Sequence, residues 1–540
     1  MIKRLIVKGF RKLRDFEWCP KEGMNIIVGA NAAGKSTVLE AIELVMSGRL
    51  RGRSVRSEIS PYWFNAEIVS GFFDSLNQSD QSSIGLPEIM IEAYFDETAP
   101  GDIRGMHNSR SEDAPGLQVL IRVDEGLCTE FIATCMDDEH DVKTLPTDYF
   151  KFEWKTFKGE AILKTPKGVS CSRIDSLPRN STRAIDAYAR NAVDESLDAS
   201  QVRNVSNKYR GLRQDVDQAI LQEMGGSASS PNQLHEMGFR MDQSPRSDWR
   251  NSVIMDFDGV PLPYAGKGNE VMTRAHIAMQ RTSDRRVLLV EEPECHLSHT
   301  SLFRLIELFK ESLKNRQMFV STHSPFVLNR LGIDKLSLIS DGGSPASIGQ
   351  LTTGTVSYFQ RLSGYDTLRI VLAKRIVLVE GPSDEMVFRW AYEKQTGHYP
   401  EKDEVDVMEY GTRGKRALEL CSAMDRALVA VLRDNDGVQP SKWLGDASDY
   451  TCDGKRQMFV GDPNDGVTLE PQFVKANLEN LELVANTVGA SCSDENGLTE
   501  YMKSHKTDWA LKLLESGSIA ADLNCPQYIE EAITFINGGA

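Results

Sequence analysis

Apolar and polar positions alternate along several short runs of the chain, and this alternation predicts β-strands. Residues 2–10 (IKRLIVKGF) alternate charged and apolar side chains, and Met24–Val28 is a short apolar run that ends at a glycine. The run Glu88–Tyr94 carries the β-branched and aromatic residues that favour sheet. Strand-like runs return at Val287–Val290 and Met318–Ser321. Together these runs predict two sheet-rich stretches of chain.

A helical pattern separates these stretches between about residues 172 and 224. Charges are dense there, glycine and proline are sparse, and apolar residues such as Ile185, Ala189 and Val193 recur at helical spacing. A flexible run, GGSASSP, follows at 225–231. The pattern predicts an inserted helical arm. A hinge is expected around Gly354–Tyr365, after which strands and helices alternate to the end of the chain.

Size and charge limit the classes of protein to consider. A chain of 540 residues is too long for one ordinary core and predicts several domains. The net charge of −16 argues against a protein covered in DNA-binding positive charge. It allows a local basic stripe, because association depends on the local field. Two candidate stripes are present, and either could equally be an ordinary solvated surface: Arg49, Arg51, Arg53 and Arg56, and Arg413, Lys415 and Arg416.

Cysteine usage and hydropathy indicate the compartment. The nine cysteines are odd in number, scattered and without C-x-x-C spacing, which favours free thiols over disulfides or a zinc site. No stretch approaches 18 uninterrupted apolar residues, and the first residues lack a cleavage site for a signal peptide. We therefore expect a cytoplasmic protein without a membrane partner.

The segment GANAAGKST (Gly29–Thr37) matches the phosphate-binding pattern G-x-x-x-x-G-K-[ST], between a predicted strand and a predicted helix. Its glycines let backbone N–H groups turn toward phosphates, and the following helix presents its positive end to them. Lys35 is expected to reach the β- and γ-phosphates of ATP and Ser36 to ligate Mg²⁺. The alternative is a glycine-rich turn without a ligand. The loop residues predicted to contact ATP are Asn31, Gly34, Lys35, Ser36 and Thr37.

The segment VLLVEEPECHL (Val287–Leu297) provides the expected partner of this loop. Its apolar residues predict a buried parallel strand, and acids at the carboxyl end of such a strand lie where ligands bind. Glu291 is predicted to complete the Mg²⁺ shell, and Glu292 to orient or deprotonate the attacking water. The alternative is an acidic strand end that only caps a loop.

A second group of acids follows two later apolar strands. RIVLVEGPSDEMVF places Glu380 directly after one strand and Asp384 one helical turn later, and VAVLRDNDG places Asp434 and Asp436 after another. Side chains two apart in an extended segment share a face. Four carboxylates on neighbouring strand ends repel one another unless a divalent cation lies among them, and such oxygen-rich sites suit Mg²⁺ or Mn²⁺.

The ATPase segments resemble those of ABC-type ATPases of the SMC and RecF branch. EEPECHL, followed about 25 residues later by FVSTHSP, is similar to their Walker B and switch-histidine pair. The resemblance makes His323 a sensor of the γ-phosphate. GKGNE (Gly266–Glu270) resembles their signature loop, with Glu270 in place of the usual glutamine. Gly266 and Gly268 would then contact ATP bound to another subunit, which implies a homodimer or higher oligomer. No Q-loop is identified.

The second group of acids resembles the Toprim pattern, Glu-Gly-x-x-Asp followed by Asp-x-Asp. An ABC-type ATPase followed by Toprim is similar, over nearly the whole chain, to the OLD (overcoming lysogenization defect) nucleases. Two short segments fit this resemblance: TLEPQF makes Glu470 a candidate metal ligand, and HKTDWAL makes Lys506 the lysine that neutralises transition-state charge. Each could also be an ordinary surface residue.

The resemblance implies an α/β protein: an SMC/RecF-like P-loop ATPase with a helical insertion, then a Rossmann-like Toprim domain. The expected ranges are 1–170 and 246–365 for the ATPase, 171–245 for a helical dimerisation arm, and 370–540 for the nuclease. The expected cofactors are ATP and Mg²⁺ or Mn²⁺, and the expected function is ATP-regulated DNA cleavage in anti-phage defence. Relatives of this kind act alone, with a helicase-like partner as in Gabija, or beside a retron reverse transcriptase and its msDNA.

Two other functions are compatible with parts of this pattern. One is a DNA-binding ATPase of the recombination type, in which Toprim is a non-cleaving module. The complete set of carboxylates argues against it. The other is a Toprim ligase, primase or topoisomerase, which the absence of a tyrosine-bearing cleavage domain and of a zinc-binding pattern disfavours.

Overall fold

The computed structural model describes most of the chain. The described residues are 1–51, 53–55, 59–76, 85–136, 144–166, 168–175, 197–223, 248–254, 256–280, 287–313, 316–340, 343–349, 351–361, 367–411, 414–425 and 427–538. In this part of the chain, no helix is both long enough and apolar enough to span a membrane.

Strands and helices alternate along most of the described chain. The strands are β1 (Ile2–Phe10), β2 (Leu13–Trp18), β3 (Met24–Val28), β4 (Arg49–Leu50), β5 (Arg53–Ser54), β6 (Ile89–Phe95), β7 (Arg104–Gly105), β8 (Ala114–Val123), β9 (Phe150–Thr156), β10 (Cys171–Asp175), β11 (Asp256–Phe257), β12 (Val260–Pro261), β13 (Val287–Glu291), β14 (Gln317–Ser321), β15 (Leu336–Leu338), β16 (Ala346–Ser347), β17 (Arg375–Val379), β18 (Val405–Glu409), β19 (Leu428–Arg433) and β20 (Arg456–Val460). The α-helices are α1 (Lys35–Ser47), α2 (Ala66–Leu76), α3 (Cys128–Cys135), α4 (Ala199–Glu223), α5 (Lys267–Gln280), α6 (His299–Ser312), α7 (Pro325–Leu331), α8 (Thr353–Arg361), α9 (Thr367–Leu372), α10 (Pro382–Thr396), α11 (Gly414–Met424), α12 (Pro440–Ala447), α13 (Leu469–Ala476), α14 (Leu481–Val488), α15 (Glu495–His505), α16 (Thr507–Glu515) and α17 (Gln527–Gly538).

The chain forms two compact units. The first contains residues 1–3, 39–64 and 69–320, and the second contains residues 4–38, 65–68 and 321–540. The first unit holds an antiparallel group, in which β8 pairs with β6 and β9, and a parallel pair of β10 and β13. The alternating burial of β8 side chains follows from this pairing, because one face of the strand packs inward.

The second unit begins with the antiparallel hairpin of β1 and β2 and the fully buried strand β3. Strand β15 runs parallel to β3 and pairs Leu338 with Val28, and β16 joins β15 on its other side. A buried hydrogen bond connects later helices of this unit: the hydroxyl of Thr367 in α9 donates to Oδ1 of Asn329 in α7 over 2.6 Å.

The second unit also contains a four-stranded parallel sheet in the order β18-β17-β19-β20. Its two central strands, β17 and β19, are buried on both faces, as is typical of parallel sheets that helices cover. A cluster that includes Phe388, Phe473 and Trp509 packs under the helices. All four strands end at the same edge of the sheet, so the residues that follow them meet there.

Most predicted strands and helices are confirmed, with one correction. Residues 2–10, 24–28 and 317–321 are strands, and a helix follows the phosphate-binding pattern. The helical insertion cannot begin at residue 171, because Cys171–Asp175 is a strand that pairs with Val287–Glu291. A helix of 25 residues does occur within the predicted arm, at Ala199–Glu223. The positions Ile185, Ala189 and Val193 lie outside the described residues. The predicted hinge around 354–365 overlaps helix α8.

Candidate functional sites

The phosphate-binding pattern forms a tight turn between β3 and α1. Gly34 has φ +108°, which favours glycine, and Lys35 is the first residue of α1. The Lys35 ammonium donates to the carbonyls of Gly29 and Ala30, each over 2.9 Å. A side chain on Gly29 would meet the carbonyl oxygen of Ile339 at 2.5 Å, so the loop packs directly on neighbouring backbone.

The other predicted loop residues occupy positions that differ in exposure. Asn31 is exposed, Ser36 is half-buried, and Thr37 is buried in the first turn of α1. The backbone N–H groups at the start of a helix attract anions, and this geometry is suited to a phosphate. The predicted roles of these residues in ATP binding remain predictions.

The strand-end glutamates lie in the first unit. Glu291 is the last residue of β13 and is buried, and Glu292 follows with φ +45°. The Cys295 thiol lies 3.4 Å from Oε2 of Glu292, within hydrogen-bonding range for sulfur. The Glu291 carboxylate accepts from the Arg173 guanidinium, whose Nη1 donates to Oε2 of Glu43 over 2.8 Å.

Arg173 was not predicted as a site residue. Its side chain is 8% exposed, so it forms a buried bridge between helix α1 and the end of β13. Burial lowers the pKa of Arg173, but the charges of Glu291 and Glu43 outweigh this effect and raise it. The sequence shows only an arginine within a short strand. Its contact with Glu291 can be inferred only once the pairing of β10 with β13 is known.

The predicted signature loop is largely helical. Gly266 has φ +82°, but Lys267, Gly268 and Glu270 belong to the first turn of α5. The Glu270 side chain is buried and pairs with Lys267 over 3.2 Å. The predicted signature segment therefore leads directly into the predicted helix and forms its first turn, and the predicted contacts of Gly266 and Gly268 with ATP remain predictions.

The predicted γ-phosphate sensor, His323, follows β14 in the second unit and lines a cavity of about 280 Å³. Helix α7 begins just after it, with Ser324 as its N-cap. Arg369 and Asp406 also line the cavity. The guanidinium of Arg369 pairs with Asp406 over 2.9 Å.

Three of the predicted metal ligands lie at the carboxyl edge of the parallel sheet. Glu380 follows β17, Asp434 follows the neighbouring strand β19, and Asp384 lies in the first turn of α10. Oδ2 of Asp384 accepts from the N–H of Gly381 over 3.2 Å, and Oδ2 of Asp434 accepts from the N–H of Leu469 over 3.2 Å.

The pKa values of these carboxyls show that they share one environment. Burial, followed by the charge of Glu380, raises the pKa of Asp384 to about 7. Burial, followed by the charges of Asp384 and Glu380, raises the pKa of Asp434 to about 8. Burial also raises the pKa of Glu380, against the opposing charge of Arg433. Oδ1 of Asp434 is buried without a hydrogen-bond partner. An unpaired buried oxygen among mutually repelling acids is suited to a cation.

Asp436 and Glu470 lie beside this group. Asp436 has φ +54° and pairs with Nη2 of Arg433 over 3.2 Å. Glu470 lies in the first turn of α13 and accepts from the Thr468 hydroxyl over 2.7 Å. Its charge adds to those that raise the pKa values of Asp384 and Asp434.

No metal-ligating geometry is preformed among the described residues. No three acidic, histidine or cysteine side chains of that part of the chain converge closely enough to hold one ion. Two of the acids, Glu380 and Asp436, pair with Arg433. We use the term acid cluster below for Glu380, Asp384, Asp434, Asp436 and Glu470.

Lys506 is not joined to the acid cluster by any described contact. It lies between α15 and α16, is exposed, and has φ +36°. Its predicted role in neutralising transition-state charge therefore remains a prediction.

The basic stripes are partly used within the chain. Arg51 pairs with the buried carboxylate of Glu40, and Arg416 lies 4.5 Å from the centre of the Tyr358 ring. Arg56 and Arg413 lie outside the described residues.

Comparisons with known proteins match both parts of the chain. Residues 4–86 match an AAA domain, and residues 164–329 match an AAA domain described as a putative AbiEii toxin of a type IV toxin–antitoxin system. Residues 371–436 match the TOPRIM domain of overcoming lysogenization defect protein-like proteins. This last match contains Glu380, Asp384, Asp434 and Asp436.

Relatives of known name cover the chain to different extents. The OLD nuclease of Thermus scotoductus is 23% identical over 470 residues, which are 81% of this chain and 82% of that protein. The DNA replication and repair protein RecF of Vibrio atlanticus is 36% identical over 74 residues, which are 13% of this chain and 21% of that protein. The chain thus spans only about a fifth of the length of this RecF protein.

Two solved structures are similar to separate parts of the chain. An SMC head bound to the C-terminal winged-helix domain of ScpA covers 65% of this chain and 98% of its own, at 16% identity and a TM-score of 0.34. The C-terminal region of the Burkholderia pseudomallei OLD protein covers 31% of this chain and all of its own, at 17% identity and a TM-score of 0.26. The matches to the family models and to the OLD nuclease agree with the order of elements described above. The chain is therefore similar to OLD-family proteins, with matches to AAA ATPase domains followed by a match to a TOPRIM domain.

Proposed function

We propose that this protein is an ATP-regulated nuclease that cleaves DNA with a divalent cation, Mg²⁺ or Mn²⁺. The observation that carries the proposal is the acid cluster at the carboxyl ends of two adjacent strands, β17 and β19. In this cluster Asp434 keeps a buried oxygen without a hydrogen-bond partner. The donors are all carboxylate oxygens, which are the ligands that these cations prefer.

The cluster supports hydrolysis of a phosphodiester through its own side chains. Glu380, Asp384 and Asp434 would hold the cation. A bound divalent cation would lower the pKa of a water molecule and stabilise negative charge on the phosphate oxygens. The N–H groups of Gly381 and Leu469 fix one oxygen of Asp384 and one of Asp434, and the second oxygen of each would bind the cation. Asp436 and Glu470 would complete the set, and Lys506 would neutralise charge on the phosphate.

ATP is proposed to regulate this reaction through the second unit. Lys35, in the loop next to β3, and His323, after β14, would contact the phosphates. His323 lines a cavity together with Arg369 and Asp406. Arg369 lies in α9, which precedes the parallel sheet in the chain, and Asp406 lies in β18 of that sheet. Helix α7 follows His323 directly and is hydrogen-bonded to α9 through Asn329 and Thr367. These contacts offer a short route from the nucleotide to β17, which directly precedes Glu380.

The resemblance to SMC/RecF-like ATPases and to OLD nucleases also supports a proposal for the oligomeric state and the biological setting. Gly266 and Gly268 would meet ATP on a second copy of the chain, so we propose a homodimer formed by the ATPase region. We place the protein in the cytoplasm and in anti-phage defence. The neighbouring genes would distinguish a reverse transcriptase with msDNA, a helicase-like partner and a protein that acts alone.

A second candidate function is a recombination-type ATPase with a non-cleaving Toprim module. The similarity to RecF favours it over only 13% of the chain. A module that does not cleave has no need for several buried, mutually repelling carboxylates, because such groups destabilise the fold in the absence of a cation.

The test is plasmid cleavage by the full chain with Mg²⁺ or Mn²⁺, with and without ATP. Asp434→Asn keeps the size of the side chain and removes its charge, and we expect it to abolish cleavage. Asp425→Asn is the matched control, because Asp425 precedes β19 at the opposite edge of the sheet and pairs with Lys455 and Arg456. Equal cleavage by wild type and Asp434→Asn, or none by either, would refute the nuclease.

A further inference from the structure

Arg433 is the last residue of β19, directly before Asp434. Its side chain is only 14% exposed, and its guanidinium lies 3.7 Å from the centre of the Trp443 ring. Trp443 belongs to α12, and its Nε1 donates to the carbonyl of Asn435 over 3.0 Å. The ring is therefore anchored to the loop that carries the two aspartates. A planar guanidinium stacks on such a ring more favourably than an ammonium group does.

The same guanidinium connects two members of the acid cluster. Its Nη1 lies 3.5 Å from Oε1 of Glu380, and its Nη2 lies 3.2 Å from Oδ2 of Asp436. The register of the sheet explains this reach, because β17 and β19 run side by side and pair Leu378 with Val431. Arginine stays charged at any physiological pH, so one fixed positive charge is built into the cluster.

Asp384 and Asp434 have different partners from those of Glu380 and Asp436. Within the described ranges, no ion pair with a lysine or arginine reaches either of them. Each is held by one backbone N–H, from Gly381 and Leu469 respectively. Of the five carboxylates in the cluster, Glu380 and Asp436 thus pair with Arg433, whereas Asp384 and Asp434 are held by backbone N–H groups.

We propose that Arg433 is a positioning residue of the acid cluster. Stacked on the Trp443 ring, it holds Glu380 and Asp436 in place, and its positive charge limits how tightly the cluster binds a divalent cation. A positive charge within a few ångströms opposes the approach of Mg²⁺, and this opposition is strong where water is scarce. The ion pair with Arg433 also restrains the half-exposed carboxylate of Asp436. The inference rests on the proposed function, because it assumes that the acids bind the cation.

The test measures cation binding separately from cleavage. The thermal unfolding midpoint of the full chain is followed against Mg²⁺ concentration at pH 8.5, and plasmid cleavage is measured at saturating Mg²⁺. For Arg433→Gln we expect the Mg²⁺ concentration at half effect to fall roughly fivefold to tenfold, because a repulsive charge is removed. Cleavage at saturating Mg²⁺ is expected to fall about tenfold, because Asp436 loses its partner.

Three further variants separate positioning from general stability. Arg456→Gln is the matched control on the neighbouring strand, because this side chain is also buried but pairs with Asp425. It should lower the unfolding midpoint without changing the Mg²⁺ dependence. Arg433→Lys keeps the charge and should stay near wild type in Mg²⁺ dependence. Trp443→Leu keeps Arg433 but removes the ring on which it stacks. It should shift the Mg²⁺ dependence in the same direction as Arg433→Gln, but by less.

The outcomes distinguish the inference from the proposed function. An unchanged Mg²⁺ dependence in Arg433→Gln, or an equal shift in Arg456→Gln, would overturn the role of Arg433 while leaving the nuclease intact. If Arg433→Gln does not fold, an unchanged Mg²⁺ dependence in Trp443→Leu overturns it equally. If the wild-type chain shows no response to Mg²⁺, the metal site of the proposed function fails and the inference fails with it.

Discussion

Arg173 bonds to Glu291 at the end of β13, and its other nitrogen reaches Glu43 of helix α1. All three side chains are less than a tenth exposed. The arginine thus ties the glutamate predicted for the Mg²⁺ shell to the helix that follows the phosphate-binding loop.

Replacing Arg173 with alanine should strongly destabilise the first unit. Two buried carboxylates would lose their common partner, and breaking a buried pair in this way costs about 3 to 5 kcal/mol. The midpoint of urea unfolding measures the effect. Arg14→Ala is the control, because the pair of Arg14 with Glu67 is mostly exposed and should contribute less than about 1 kcal/mol. Similar losses in both variants would contradict the bridging role.

Gly29→Ala should disrupt the phosphate-binding loop. The new methyl group would lie 2.5 Å from the backbone oxygen of Ile339, which cannot move aside as a flexible side chain could. Overpacking of this kind costs about 1 to 3 kcal/mol, so affinity for ATP should fall about tenfold or more. Binding of a fluorescent ATP analogue provides the measurement.

Gly71→Ala is the matched control for this substitution. Gly71 lies within α2, and a methyl group there would meet no atom within 4 Å. It should leave ATP affinity unchanged and stabilise the helix by about 0.5 to 1 kcal/mol. An unaltered affinity in Gly29→Ala would show that the loop does not hold the nucleotide.

Stability without a divalent cation should fall as pH rises from about 4 to 8.5. The pKa values of Asp384 and Asp434 are raised in the folded chain to about 7 and about 8, above the value of 3.8 for a free aspartate. Their contribution to stability is therefore complete at low pH and is lost as they ionise. Mg²⁺ should reverse the loss, because it neutralises the ionised pair.

Thermal unfolding across this pH range, with and without Mg²⁺, checks the prediction. Asp434→Asn cannot ionise and should show a shallower decline with pH and a smaller Mg²⁺ effect. If the decline in that variant matches wild type, the pH dependence arises from other groups.

Thr367→Val should weaken the control of cleavage by ATP. The hydroxyl of Thr367 donates to Asn329 in a fully buried position, and its loss costs about 1 kcal/mol. Because this bond connects α7 to α9, we expect the ratio of plasmid cleavage with ATP to cleavage without it to fall. Thr499→Val serves as the control, since the Thr499 hydroxyl bonds only to its own helix at Glu495. An unchanged ratio in Thr367→Val would exclude this route.

Much of the fold was predictable because its signals are local. The strand at 24–28, the loop at 29–37 and the helix after it follow from a short apolar run, glycine spacing and helical periodicity. Gly266–Glu270 was predicted as a signature loop from a short resemblance, which does not fix where the helix begins, and the structure places four of its residues in the first turn of α5.

The sequence by itself determined which residue types stand at the strand ends: a lysine and serine after β3, a pair of glutamates at the end of β13, and acids after β17 and β19. It did so because strand periodicity and the loop pattern are short-range. Only the tertiary structure decided how these charges are balanced. It brought Arg173 to Glu291 and Arg433 between Glu380 and Asp436. Such pairings depend on which strands lie side by side. A local sequence pattern does not show which residues from distant parts of the chain will be in contact.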